Sequence, residues 1–376
     1  MAAIRDASIC VLIAVLLVCA TVAYAERPFG YTVSSKWKTL TARSITQAEF
    51  ICAGKVLSSR RLEGAEPWWN RHRSGKDLEA HEAEFQVDHV IRGPEELAGT
   101  KISIQFVGSN AERPSFVSEM KERRTLICAT KQGPGTFRLL FADKGSFVPA
   151  GPKPDIKTEK TPTADERMDW ELASALTAPE RVVRTRTLRY VGRLNLSGPK
   201  LVQTLVAMRD DLENDLALQA TSALVRMGHR ETLLAMDELL ALWKAKGVNA
   251  GKQFGQALRG ASAPESVPLL IRMLSIKENN VREGAAFALR MSRSPNAMAA
   301  LAGLLDDPNL EIRFSAVNGL YRQANLPRKW LCNIDEFKND PDTWTTKWKG
   351  WWEKEGKTKF PSVEQVLKQA EEGKGR

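Results

Sequence analysis

Three histidines, His72, His81 and His89, are the first side chains along this chain that could bind a metal or move a proton. Their separations, eight and then seven intervening residues, match no metal-site spacing. His89 sits in a strand-like run on the face opposite Val90, so hydrogen-bonded or solvated imidazoles are the simpler reading. His229, beside Gly228, closes a helical segment, and there is no histidine–cysteine pair, serine elbow or phosphate-cradling glycine loop. These residues argue against an enzyme and call for no cofactor and no metal.

Arginine is the more orderly signal. Arg193, Arg226, Arg259, Arg290 and Arg322 each stand one or two places after the last apolar residue of a recurring pattern. Arg186 and Arg189 share a helical face with Arg193 at i, i+3 and i+7 spacing. Stacked helices would align these side chains into a basic stripe able to hold an anionic partner. The plain alternative is that a cation near a helix C-terminus gains roughly 0.3–1 kcal/mol from the helix dipole and recurs for that reason alone. A second cluster, Trp68, Trp69, Arg71 and Arg73, lies in a polar insertion at 67–73. Its rings and guanidiniums would suit a ligand loop stacking on sugars or bases, or the tryptophans would simply plug a gap in the fold.

The pattern that positions the arginines repeats five times between 179 and 323. Val191, Leu224, Leu258, Leu289 and Leu320 are 33, 34, 31 and 31 residues apart. Within each unit, apolar and small residues recur at helical spacing, as in Ile312, Ala316, Gly319 and Leu320. Each unit cannot bury its apolar face alone, so neighbours must stack into a solenoid. In the last two units, 265–275 and 295–305 are expected first helices, and 281–292 and 310–323 second helices. Ser294-Pro295 marks one start and Asp306-Asp307-Pro308 one turn. Lines such as LLDDPNLEIRFSAVNGL and LLIRMLSIKENNVREGAAFAL resemble HEAT repeats, particularly the short variety of phycobilisome lyases. That resemblance implies an α-solenoid of about five helix pairs serving as a protein-binding scaffold. The lyase activity of a few members finds no support, since Cys332 lies outside the repeats.

Before the repeats, 49–57, 84–91, 101–107, 125–130 and 137–141 read as strands, two of them alternating with period two, with Arg92-Gly93-Pro94 and Gly133-Pro134-Gly135 as turns. Five short strands suggest a small antiparallel β-barrel. The lines FICAGKVLSS, FQVDHVIRGPEELAGTKISIQF and RTLICATKQGPGTFRL resemble netrin-like OB barrels, a group that includes tissue inhibitors of metalloproteinases. In that branch an N-terminal cysteine reaches the target's metal; a mature chain starting at Glu26 lacks one. Cys52 and Cys128 lie in strand-like runs, so either one bridge or two buried thiols is open.

The expected organisation is therefore multidomain β + α: a signal peptide at 1–25, an OB-like barrel at 26–148, a Pro/Lys-rich linker at 149–164 and a HEAT-like solenoid at 165–327. A Trp-rich helical cap at 328–362 and a flexible tail at 363–376 complete it. The cap reading rests on Trp344, Trp348 and Trp351 or Trp352 sharing one helix face. The net charge of +10 over 376 residues is spread along the chain, which argues against nucleic acid and favours loose association with an anionic polysaccharide. The function expected is an exported, non-catalytic scaffold binding a protein or peptide along the second-helix face. The competing expectation is a carbohydrate- or cell-wall-binding protein using Trp68, Trp69 and the arginines. With Arg5, the apolar run 9–23 and Ala23-Tyr24-Ala25 read as an export signal, mass spectrometry of the exported protein should find Glu26 at its N-terminus; an N-terminus still carrying residues 1–25 would refute the cleavage.

Overall fold

A computed structural model describes residues 45, 47–62, 78–109, 124–139, 147–156, 161–192, 194, 196–211 and 216–372. The segment 1–25 read as a signal peptide, the insertion holding Trp68, Trp69, Arg71, His72 and Arg73, and Arg193 lie outside the described residues. The chain divides into two compact units, 1–204 and 205–376.

In the first unit the described residues form six strands: β1 (Phe50–Arg61), β2 (Leu78–Arg92), β3 (Lys101–Ser109), β4 (Thr125–Gly133), β5 (Thr136–Leu139) and β6 (Phe147–Pro149). Their order is β1-β2-β3-β5-β4-β6, and β4 also pairs with β1, which closes a five-stranded OB-type barrel. Closure takes one parallel pairing, β3 with β5, among antiparallel neighbours. The barrel interior is apolar, with Phe50, Cys52, Val56, Phe85, Val87, Val90, Ile102, Ile104, Phe106, Ile127 and Phe137 buried together. β2 alternates strictly up to Val87; register shifts against β1 then let both Val87 and Val90 face inward, leaving Asp88 and His89 to serve the outside.

Cys52 and Cys128 are free thiols, which decides against the bridge. Cys52 pairs with Ile127, whereas Cys128 pairs with Ile51. Neighbouring positions along a strand point to opposite faces, so the two sulfurs lie on opposite sides of the sheet. Burial pushes the Cys52 thiol well above its ordinary range and the Cys128 thiol up to about 12.

Three helices follow: α1 (Ala164–Leu176), α2 (Arg181–Val191) and α3 (Pro199–Asp210). A capping box starts α1, with Glu166 accepting from the Thr163 N–H at 2.7 Å and Thr163 from the Glu166 N–H at 3.3 Å. Asp169 of α1 caps α3 by accepting from Lys200 and Leu201 N–H at 3.0 and 2.9 Å.

The start of the stretch read as a linker, at Gly151, is anchored rather than loose. Gly151 lies so close to the backbone of Ser174 and Ala175 that a Cβ there would collide with it. The Gly151 carbonyl accepts from Arg124 at 3.0 Å.

Arg124 ties α1 to the outer face of the barrel. Its guanidinium donates to both oxygens of Asp88 (2.8–3.0 Å), to both oxygens of Glu171 on α1 (2.5 and 2.6 Å) and to the Gly151 carbonyl, so all five N–H groups are used. His89 Nδ1 lies 2.6 Å from the same Glu171. Burial by itself would raise the Glu171 pKa, but the bonds from Arg124 and His89 outweigh it and hold the carboxyl below its ordinary 4.5. The contribution of Glu171 is therefore fully present above pH 4.5 and lost as the pH falls through the lower folded value.

The second unit holds α4 (Ala217–Arg226), α5 (Arg230–Leu234), α6 (Met236–Ala245), α7 (Gly251–Leu258), α8 (Val267–Met273), α9 (Asn279–Ser292), α10 (Met298–Gly303) and α11 (Leu310–Ala324). These are stacked helix pairs around one core that runs from Ala217 to Leu320 and on into the aromatic end. Short 3-10 turns, Pro264–Ser266 and Pro295–Ala297, lead into α8 and α10, the second started by Ser294 accepting from Asn296 N–H. α12 (Ile334–Asn339) and α13 (Pro341–Trp351) close the array, with a π turn at Trp352–Gly356.

Trp348 and Trp351 are buried in that core, Trp330 meets Trp348 edge-on at 5.1 Å, and Phe360 stacks on Trp352 at 6.4 Å. The tryptophans thus cover the last repeat. The tail read as flexible at 363–376 is instead a helix over Val363–Glu372, α14. Val363, Val366 and Leu367 form an apolar stripe that packs on the core, and Arg272 of α8 bonds Glu371 at 2.7 Å.

Replacing Glu171 by Ala leaves Asp88 as the one carboxylate on the buried Arg124 and should cost about 3–5 kcal/mol in denaturant unfolding at pH 7. The gap between variant and wild type should narrow below pH 4.5; a pH-independent loss would contradict the ion-pair account.

Candidate partner-binding face

Sequence reasoning placed the arginines in one row, and the structure sorts them. Counting from the aligned positions Leu216, Ala250, Val281 and Ile312, Arg259 and Arg290 share a place with Tyr321, whereas Arg226 and Arg322 stand one residue later. One residue is about 100° around a helix, so these four do not share one helix position.

Arg259, at the end of α7, lies over the Phe287 ring of α9 at 5.1 Å. Arg290 lies between Phe287 at 5.1 Å and Phe314 of α11 at 5.5 Å. Two guanidiniums and two rings therefore alternate across three successive second helices. Each ring presents its negative face to the cation and fixes the guanidinium plane, which lowers the ordering cost of any further bond. Phe287 and Phe314 are half-buried, Arg290 is half-buried and Arg259 is exposed.

Arg226 has a different task. It reaches the Gln256 carbonyl at 3.4 Å, and its stem fills the space a Cβ on Gly260 would need. Arg186 and Arg189 belong to the first unit, the former half-buried and the latter exposed on α2. The phenylalanines went unnoticed in the sequence, although Phe287 and Phe314 interrupt rows otherwise filled by small or polar residues.

The spacing of the ladder depends on how closely the second helices approach. Gly255 of α7 and Gly284 of α9 meet backbone to backbone: a Cβ on Gly255 would collide with the Asn280 carbonyl, and one on Gly284 with the Gly255 carbonyl. Polar pairs hold the register, with Gln253 donating to Ser222 at 2.8 Å and Asn309 to Glu283 at 2.7 Å.

Where these helices end, the chain turns through left-handed residues. The turns use Gly228 after α4 (φ 71°), Arg293 after α9 (φ 51°) and Asn325 after α11 (φ 51°). Glycine and asparagine suit this conformation, while a side chain such as arginine costs about 1–2 kcal/mol there. Arg293, Tyr321, Arg322, Asn325 and Leu326 line an open cavity of 290 Å³. Two other cavities are of mixed sign. One, of 420 Å³, has Arg230, Arg272, Glu265 and Glu371 in its walls; the other, of 440 Å³ on the barrel, has Arg60, Lys101, Glu82 and Glu84.

Residues 251–320 match the family model of HEAT repeats. The match covers α7 to α11, and the helical array is HEAT-like. Such repeats typically mediate protein–protein interaction, and the scaffold is typically non-enzymatic. No curated protein is significantly similar to the chain. Solved structures similar to it include an engineered protein (18% identity, 54% of this chain and 96% of that one, TM-score 0.28). A designed armadillo repeat protein is also similar (18% identity, 53% and 95%, TM-score 0.26). Among the described residues no group of histidine, cysteine and carboxylate side chains could hold a metal ion, and no helix is long and apolar enough to cross a membrane.

Adding one methyl group at the helix crossing tests the spacing directly. Gly284→Ala should destabilise the repeat unit by about 1–3 kcal/mol through overpacking. Gly303→Ala, where a Cβ would meet nothing within 4 Å, should be neutral or slightly stabilising by the same thermal-melt measurement.

Proposed function

We propose that this is an exported, non-catalytic scaffold whose second-helix face captures an acidic segment of a protein partner. The observation that carries the reading is the alternation of Arg259, Phe287, Arg290 and Phe314 across α7, α9 and α11. A peptide laid across the repeats would meet two guanidiniums resting on the rings, and the exposed Arg259 could take a carboxylate in two parallel bonds. The rings supply apolar contact between them. Because the stacked helices are preformed, little ordering entropy is lost on docking.

The leader-like segment at 1–25 supports export, and the wide distribution of the positive charge supports a protein rather than a nucleic acid as partner. Crosslinking of the mature protein, followed by identification of what is captured, tests the reading. Capture should be lost in Arg259→Glu/Arg290→Glu and retained in a control reversal at Lys354, far along the chain on the π turn. Equal capture by wild type and the double variant would overturn it.

A further inference from the structure

We infer that the cavity at the ends of α9 and α11 is a carboxylate socket, in which Arg293 and Arg322 hold an acidic side chain of the bound partner. This inference rests on the reading of the second-helix face as the partner-binding face. The cavity of 290 Å³ is lined by Arg293, Tyr321, Arg322, Asn325 and Leu326, and no carboxylate is among these five. Two guanidiniums, a phenol and an amide supply only neutral or positive polar groups, a set suited to a planar anion. The volume admits an acidic side chain.

Arg293 is the second observation. It adopts φ 51° at the C-cap of α9, where the matching turns use Gly228 and Asn325. A cation could interact with the helix end from any place in the last turn, as Arg290 already does, without a left-handed backbone. Glycine would hold the turn with less strain. An exposed arginine at the strained position, lining one cavity with Arg322, suits a ligand that offsets the cost of the turn. The socket begins three residues past Arg290, so it continues the ladder at its edge, and Tyr321 stands at the place that Arg259 and Arg290 occupy in earlier repeats.

The test uses the full mature protein and a fluorescein-labelled, C-terminally amidated hexaglutamate peptide, read by anisotropy at low salt. Arg293→Gly should weaken binding about tenfold, the loss expected for one charge-assisted hydrogen bond, while raising the melting temperature by about 2 °C. Arg322→Gln should weaken binding similarly without that rise. A purely structural arginine would move the melting temperature and leave binding unchanged, which would overturn the socket. If Arg259→Gln/Arg290→Gln weakens binding and Arg293→Gly does not, the socket alone fails. If neither does, or the wild type binds no peptide, both readings fail. Displacement of the peptide by millimolar acetate would assign the socket to free carboxylates, and resistance to acetate would assign it to a side chain; either supports the carboxylate chemistry.

Discussion

The close crossing of α7 and α9 governs the arrangement of the repeat unit. Gly255 and Gly284 leave no room for a side chain between the two backbones, so the helices approach until main-chain atoms are in contact. That distance brings Arg259 within reach of Phe287, and a second close approach, at Gly319 of α11 against the Arg290 backbone, accompanies the Arg290–Phe314 contact. A wider crossing would leave the same four side chains as separate surface groups. The ladder thus depends on a packing constraint one helical turn away, four residues before Arg259 and three before Phe287, where volume changes of one methyl group are felt.

A different constraint organises the first unit. A barrel can close on its own hydrogen bonds, but α1 must be fastened to a polar outer surface. The fastening is one guanidinium with every donor engaged, supplied with carboxylates by β2 and α1. Buried charge of this kind contributes little net stability and much positional definition, because any shift leaves a charge without its partner. His89, read from the sequence as a hydrogen-bonded or solvated imidazole, is a member of this cluster, and Glu171 and Arg124 were invisible as its partners because they lie 82 and 47 residues from His89 and Glu171 respectively.

Legibility varied with the range of the interaction. The helix starts at Ser294-Pro295 and the second helices of the last repeats were readable because caps and 3.6-residue periodicity act within a few residues. The Trp-rich cap was readable for the same reason. The helix at Val363–Glu372 was missed, since its charged composition hides three apolar residues whose helical stripe matters only when α8 is there to receive it. The alternatives left open for Cys52 and Cys128 were decided by register: a one-residue offset between strands sends the sulfurs to opposite faces.

By itself the sequence determined the element types and the repeat, because hydrophobic periodicity and capping are local properties of the chain. It also determined the supply of arginines near the second-helix ends. Only the tertiary structure decided which rings the arginines rest on and which are spent on packing, as Arg226 is against Gly260. The reason is geometric: one residue of offset turns a side chain by about 100° around its helix, and whether that direction meets a neighbour depends on the distance to the next helix, which no single segment encodes.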